Sequence, residues 1–338
     1  MAATDPIPPV TDTGPDFEGL VWAYRVFDSG AAEILQGPVL REALERKDGW
    51  LWLNFDLSDA RAPLEIAALP HLPREAVDML LTPSDRQHVE IFGDVIAGVV
   101  ADFEQEARPD LRRVVHWQFV MAAHLFVSAR HQPGHTLHQV HLDLQHGRAF
   151  PGPLHLFTAL IHEFTSATSM LLHELARQLD ALEEQLIDRP DASAPEILGH
   201  VRASLVRLHR QAIPLRAVLV HMATRRPAWF TDAAAADCRR VAERMDSLAE
   251  DLSALRERAR ALTDELNGLE AIKTNKRLTV LSVLSAVLLP PTFITGLFGM
   301  GVPGLPFHND PLGFAYACAL MVGSVIDVLT VLRLQRLL

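Results

Sequence analysis

The chain has 338 residues, enough for a sizeable soluble core together with a small membrane part. Its formal net charge of -11 argues against a nucleic-acid-binding protein, because contacts to phosphates need a basic surface. An acidic balance suits the attraction of cations, although a solvated acidic surface is its commoner cause. The two cysteines, Cys238 and Cys318, form no CxxC pattern, so neither a disulfide framework nor a cysteine zinc site is indicated.

The N-terminal half predicts an α/β domain. Residues 1–17 are rich in proline and acidic residues and lack the regions of a signal peptide, so we expect a flexible cytoplasmic tail. Short aromatic and β-branched runs, typical of strands, follow at residues 20–27, 50–56, 88–104, 114–124 and 125–130. Helical patterns at residues 41–47 and 72–82 alternate with them. We therefore predict a cytoplasmic α/β domain over residues 18–150.

Long helices are predicted from residue 151 to residue 277. Apolar residues recur there at three- and four-residue steps, first over residues 154–188 and then in a second helix that stops before Pro227. A third helix begins near Asp232 and runs without a proline into an apolar segment. At about 1.5 Å per residue, a continuous helix over residues 232–298 would be on the order of 100 Å long.

Two apolar segments near the C-terminus predict transmembrane helices. Residues 278–298 carry no charged side chain over about 21 positions, and residues 312–332 are interrupted only by Asp327. Basic residues lie before the first span and in the tail 333–338, whereas the loop 299–311 has neither Lys nor Arg. The positive-inside rule therefore predicts that both termini are cytoplasmic and that the loop is external.

One face of the first predicted span mixes small, hydroxyl-bearing and apolar residues. We call this set the α-stripe: Asn275, Leu278, Ser282, Ser285, Leu289, Thr292, Gly296 and Gly299. The opposite face carries Val280, Val283, Val287 and Ile294. Small and hydroxyl residues in a span often form helix-packing contacts. The alternative is a pore face, which requires several copies around an axis because one thin helix cannot enclose a pore.

The same segment carries a family resemblance. Residues 275–301, and above all the PPTFITGLFGM run at 290–300, resemble the CorA superfamily of divalent-cation transporters. TGLFG at 295–299 and VPGLP at 302–306 look most like the zinc-associated ZntB branch. The resemblance implies Zn²⁺ uptake across the inner membrane by a homopentamer, with the first span lining the pore and the long helices forming a funnel. It implies no resident cofactor, only a transported divalent cation.

The resemblance also implies roles for individual residues. Pore-lining positions match Asn275, Leu278, Leu281, Leu289, Thr292 and Gly296, and the stripe adds Ser282 and Ser285 by spacing. Asp264 matches an acidic funnel position. The selectivity motif of the family ends in asparagine, whereas this chain reads Gly299-Met300-Gly301. His308 and Asp310 suit a softer divalent cation such as Zn²⁺ and are candidates to replace that amide, with a simple polar turn as the alternative.

Three other functions remain open or are set aside. A Mg²⁺ or Co²⁺ channel of the CorA type is favoured by Met300, and a non-conducting two-span sensor is favoured by the missing asparagine. An enzyme is not predicted, because no phosphate-binding glycine loop or nucleophile elbow occurs.

His135, His138 and His141 lie three residues apart, a spacing that allows a regulatory metal site on one helix face.

Overall fold

A computed structural model describes residues 17–27, 30–46, 48–105, 113–188, 193–300 and 312–334. The chain divides into two compact units, Met1–Arg260 and Ala261–Leu338. The strands are β1 Leu20–Val26, β2 Ala32–Ile34, β3 Trp50–Asp56, β4 His88–Phe92, β5 Val95–Phe103, β6 Val114–Ala122 and β7 Leu125–Arg130. The helices are α1 Gly37–Glu45, α2 Ala62–Ala67, α3 Arg74–Leu81, α4 His135–Gln145, α5 Pro153–Asp188, α6 Ala194–Thr224, α7 Asp232–Gly299 and α8 Gly313–Leu334.

The first unit contains a seven-stranded sheet in the order β2-β1-β3-β7-β6-β5-β4. Every neighbouring pair is antiparallel except β3 and β7, which pair in parallel. The strands that we predicted are confirmed, but the run 88–104 contains two of them. Gly93 has a φ of 62° at the turn between them, a conformation that glycine adopts without strain. The short elements β2 and α2 were not predicted.

Both faces of the sheet are covered by helices. On β3, Leu51, Leu53 and Phe55 belong to a buried cluster that also contains residues of α1, α2 and α3. On the other face, the ring of Phe103 in β5 stacks on that of Phe164 in α5, with centroids 4.9 Å apart. Side chains alternate between the two faces of a strand, which explains how β3 contributes to both layers. Because the sheet is buried on both sides, β5 is buried at all nine positions.

A buried carboxylate joins the sheet to helix α4. Asp102 of β5 is fully buried and accepts hydrogen bonds from the backbone N–H of Thr136, at 3.0 Å, and of Leu137, at 3.5 Å. These N–H groups belong to the first turn of α4, where they have no partner within the helix. Burial raises the pKa of Asp102 to about 6, and the hydrogen bond from Thr136 opposes the rise. Asp102 therefore caps α4 from a neighbouring strand.

Helices α5 and α6 and the first part of α7 complete this unit. Along α7 a buried face recurs at three- and four-residue steps; it comprises Ala235, Cys238, Ala242, Met245, Leu252 and Ala259. The Arg258 guanidinium of α7 forms ion pairs with Asp180 and Glu183 of α5. The long helices expected from the sequence periodicity are therefore confirmed, including a third helix that begins at Asp232.

The second unit contains the end of α7 together with α8. No described residue from 267 to 300 or from 312 to 334 is buried. Apolar side chains are nevertheless abundant on both helices, and by length and composition both could cross a membrane. Helix α8 begins one residue after the predicted start of the second span and reaches Leu334.

Candidate functional site: the exposed stripe of the first span

All eight residues of the α-stripe are exposed. They lie on the final turns of α7, where the side chains of residues three and four apart share a face. The residues of intermediate exposure lie on other sides of the same helix: Thr279, Val283, Ala286, Val287, Pro290, Pro291, Ile294, Leu297 and Phe298. The helix thus has one partly covered face and one face with no partner among the described residues.

Helix α8 also has one partly covered face. Its residues of intermediate exposure recur at helical steps: Gly313, Ala317, Cys318, Met321, Ser324, Val325, Val328 and Leu332. The Thr295 hydroxyl of α7 lies 3.4 Å from the Met321 sulfur of α8. We attribute the partial burial of the two faces to packing between these helices, which leaves the α-stripe directed away from α8.

Two hydroxyl groups of the α-stripe are oriented by their own helix. Ser285 Oγ donates to the carbonyl of Leu281 at 2.9 Å, and Thr292 Oγ1 donates to that of Leu288 at 2.7 Å. A hydroxyl that has donated its hydrogen retains its oxygen lone pairs as acceptors. Such oxygens can accept hydrogen bonds from water around a cation or contact the cation directly.

Leucines interrupt this polar surface. Leu278, Leu281 and Leu289 are 56%, 59% and 71% exposed. Apolar rings of this kind can close a pore by dewetting. At Gly296 and Gly299 no described atom outside the neighbouring turns of α7 lies within 4 Å of the position that a Cβ would occupy, so the backbone is open there. The stripe therefore combines acceptor oxygens, apolar constrictions and accessible backbone.

The remaining predicted residues fall into two groups. Asn275 and Asp264 are exposed on α7, and Met300 is 63% exposed just beyond its end. Gly301, His308 and Asp310 lie outside the described residues, so their predicted roles stay predictions.

The family to which the chain belongs follows from a match over most of its length. The model of the family described as "CorA-like Mg2+ transporter protein" matches residues 47–334. The chain belongs to this family. The match includes strands β3 to β7, the long helices and both candidate membrane helices.

Individual relatives agree with the family. The zinc transport protein ZntB of Yersinia pseudotuberculosis serotype O:1b (strain IP 31758) is 28% identical over 312 residues, which cover 91% of this chain and 93% of the relative. The full-length CmaX protein has a TM-score of 0.79 at 24% identity and covers 96% of this chain and 99% of its own. The CorA magnesium transporter of Methanocaldococcus jannaschii has a TM-score of 0.74 at 20% identity and covers 93% and 98%. The predicted architecture of this CorA-family chain is confirmed.

The hypothesis of a histidine metal site on α4 is wrong. Among the described residues no three potential ligands converge on a common point. His141 Nε2 lies 2.8 Å from the Tyr24 hydroxyl, and its ring stacks on Trp22 with centroids 4.1 Å apart. Burial lowers the pKa of His141 to about 4. His135 instead lies 3.9 Å from Glu163. The two histidines therefore contact different partners although they lie on one helix.

Two features of this CorA-family chain were missed from the sequence. The first is the Asp102 cap, for which the only local indication is an aspartate within an apolar strand. The second is a basic cleft beside α6, whose residues come from three distant parts of the chain. Arg207 and Gln211 share a helix face and could have been noted, but nothing local predicts that Arg86 and Arg113 join them.

Proposed function

We propose that this CorA-family chain moves Zn²⁺ into the cytoplasm across the inner membrane, through a homopentameric pore lined by the α-stripe. One observation supports this proposal most strongly. Every residue of the α-stripe is exposed, whereas three of the four residues on the opposite face, Val283, Val287 and Ile294, are partly covered; the fourth, Val280, is 68% exposed. If the stripe served only to pack α7 on α8, the stripe would be the partly covered face and the valine and isoleucine face would be exposed.

The pore requires several copies of the chain. One chain supplies only one side of a pore. When several copies surround an axis, each hydroxyl oxygen and each leucine of the stripe recurs in every copy and forms a ring. In such a ring, Ser285 and Thr292 would face a hydrated cation with their lone pairs, and Leu278 and Leu289 would narrow the path. Asp264, in several copies on the cytoplasmic side, would concentrate cations near the exit.

The proposed topology has both termini in the cytoplasm. Lys273, Lys276 and Arg277 precede the apolar end of α7, and Arg333 ends α8. Residues 1–17 would then be a cytoplasmic tail, 18–150 the cytoplasmic α/β domain and 151–277 the funnel helices. Residues 278–298 and 312–332 would be the spans, joined by an external loop at 299–311, with 333–338 as a second cytoplasmic tail. We infer a transport role rather than a catalytic one.

The choice of Zn²⁺ is supported by relatives that are named zinc transport proteins. We propose that His308 and Asp310 supply ligands at the pore entrance, since imidazole together with carboxylate suits Zn²⁺ better than Mg²⁺. Mg²⁺ is the second candidate, because the matching family model is described as a Mg²⁺ transporter. Gly301 would contribute backbone carbonyls in place of the family asparagine.

Cation flux into liposomes tests the proposal. The purified full-length protein should carry Zn²⁺ in preference to Mg²⁺, Co²⁺ and Ni²⁺. Thr292→Val should lower Zn²⁺ flux several-fold, because it removes a hydroxyl oxygen from the stripe. Thr295→Val is a matched control, since Thr295 also donates to the carbonyl four residues earlier, at 2.8 Å, but lies off the stripe.

Two outcomes would contradict the proposal. One is a well-folded oligomer that carries none of the four cations, and the other is an equal loss of flux in both threonine variants. Gly301→Asn then separates a transporter from a non-conducting sensor. Altered cation selectivity in the variant would indicate a pore that works without the family amide. No cation flux in either the parent protein or the variant would indicate a sensor.

A further inference from the structure

A basic cleft lies in the first unit, between one end of the sheet and helix α6. Its volume is about 1020 Å³, which is near the upper end of the range for small-molecule sites, about 300–1,000 Å³. Four arginines line it: Arg86 before β4, Arg113 before β6, and Arg207 and Arg210 on α6. His116 and Gln87 lie deeper in its wall.

The cleft departs from the charge of the whole chain. The chain carries a formal net charge of -11, yet Asp85 is the one carboxylate among the described residues that line the cleft. Within the described ranges, none of the four guanidinium groups forms an ion pair with a carboxylate. All four side chains are exposed and positively charged, so the cleft attracts anions.

A second basic cavity in the same unit shows the contrast. It has a volume of about 350 Å³ and contains Arg148, Arg240 and Arg244. There Arg148 pairs with Asp143 at 2.7 Å, Arg240 pairs with Asp237, and Arg244 bonds to His162 at 3.0 Å. Arginines in that cavity are satisfied by the protein itself, so arginine content alone does not distinguish the cleft. The cleft differs in that its four arginines pair with no described carboxylate, although Arg207 donates to the Ser204 hydroxyl at 2.9 Å.

The wall of the cleft is held in place by a buried amide. Gln87 Nε2 donates to both the backbone carbonyl and the side-chain oxygen of Gln211, at 2.9 Å each, which fastens the start of β4 to α6. Gln87 is 6% exposed, and these bonds determine which way its amide points. Its Oε1 consequently has no hydrogen-bond partner among the described residues.

A second polar atom of the wall also lacks a partner. His116 Nε2 is buried without a hydrogen bond from any described residue, while Nδ1 lies 3.8 Å from an oxygen of Asp85. Burial lowers the pKa of His116, although the Asp85 carboxylate and a hydrogen bond with the Gln211 side chain oppose that effect. Buried polar atoms without partners are uncommon and costly. Eight such atoms occur among the described residues, and two of them line this cleft beside four arginines that pair with no described carboxylate, a combination that points to a ligand site.

The chemistry of this wall selects a phosphate chain. Arginine presents a planar fork of N–H donors that matches phosphate oxygens, and four such groups exceed what a single monoanion can satisfy. Gln87 Oε1 is an acceptor and requires an N–H or O–H group, which a nucleoside supplies. We propose that the basic cleft binds a polyphosphate-bearing small molecule, either a nucleoside triphosphate or inorganic triphosphate. None of these residues belongs to the α-stripe, and the proposed binding does not rest on the proposed function.

Calorimetric titration of the full-length protein in detergent tests this inference. Sodium triphosphate, ATP and adenosine are titrated separately in a buffer that contains chelator and no divalent cation. We expect saturable binding of triphosphate or ATP at one site per chain, and weaker binding as salt rises because the contacts are ionic. The double variant Arg207→Gln/Arg210→Gln should weaken the affinity at least about tenfold. These side chains are not buried, so the variant should retain the melting temperature of the parent protein.

The double variant Arg148→Gln/Arg240→Gln in the second cavity is the matched control and should bind as the parent does. Tighter binding of ATP than of triphosphate would assign the ligand as a nucleotide that also engages Gln87. Equal binding would assign the bare phosphate chain. No saturable binding of either, binding of adenosine alone, or equal losses in both double variants would overturn the proposal. So would a change of oligomer mass in Arg207→Gln/Arg210→Gln, because the cleft would then be an interface between copies.

Discussion

The two compact units place the same kinds of residue in opposite environments. In the first unit the large apolar side chains point inwards, and Trp52, Phe119 and Phe126 are fully buried between the sheet and its helices. In the second unit Leu289 and Phe293 are 71% and 66% exposed, and no described residue after Leu266 is buried. Both regions contain many leucines and valines.

The difference shows what each unit needs as its surroundings. The first unit buries its large apolar side chains in its own core and presents charged side chains to water. The second unit leaves exposed apolar side chains that no described residue covers, and such a surface requires lipid or further copies of the chain. Substitutions of like residues in the two units should therefore have unlike effects.

The largest difference is expected between two phenylalanines. Phe126→Ala, in the first unit, should lower the free energy of unfolding by about 3–5 kcal/mol, because it leaves a cavity in a close-packed core. Phe293→Ala, in the second unit, should change it by less than about 0.5 kcal/mol. All five tryptophans lie in the first unit, so denaturant unfolding followed by their fluorescence reports on that unit. Equal losses would mean that Phe293 contributes to the stability of the first unit as much as Phe126 does.

For two exposed leucines, the substitution in the second unit should have the larger effect. Leu284→Arg places a charge in the first candidate span and should oppose membrane insertion by about 2.5–3.5 kcal/mol. Leu64 of α2 is 74% exposed in the first unit, and Leu64→Arg should have almost no effect. The fraction of protein recovered in the membrane after expression measures the effect of each substitution. If Leu284→Arg inserts as well as the parent, the exposed apolar surface does not face lipid.

The buried Asp102 carboxylate makes the stability of the first unit depend on pH. Its pKa in the folded protein, about 6, lies above the ordinary value of 3.8, so the folded state binds this proton more tightly than the unfolded chain does. The stability that it contributes is therefore complete below about pH 3.8 and is lost as the pH rises through about 6. Relative to Asp102→Asn, the parent protein should lose roughly 2–3 kcal/mol over that range. Unfolding of both proteins across this pH series checks the expectation, and a constant difference between them would contradict it.

The smallest effect is expected at the ion pairs between α5 and α7. Arg258→Gln removes the contacts to Asp180 and Glu183, all three of which are partly exposed. Such pairs contribute about 0–1 kcal/mol, because water and salt screen them. A double-mutant cycle with Glu183→Gln, measured by denaturant unfolding, should give a coupling energy below about 1 kcal/mol that falls with added salt. A larger value would show that α7 depends on these charges as strongly as on its buried face.

The sequence by itself determined the features that repeat along one helix or strand. The strands at 50–56 and 125–130, the helix that begins at Asp232, the two apolar spans and the α-stripe were all readable, because periodicity is a local property of consecutive residues. The exposure of the α-stripe agrees with its prediction as a distinct face. Its role as a pore stays a proposal, as does the identity of the ion.

Only the tertiary structure decided which distant residues meet. The basic cleft joins Arg86, Arg113 and Arg207, and the sheet order that brings β4 and β6 near α6 cannot be read from local spacing. Likewise, three histidines at helical spacing suggested a metal site, but packing placed His141 against Trp22 and Tyr24. Local patterns fix the direction of a side chain relative to its own helix, whereas its partner depends on how the elements pack.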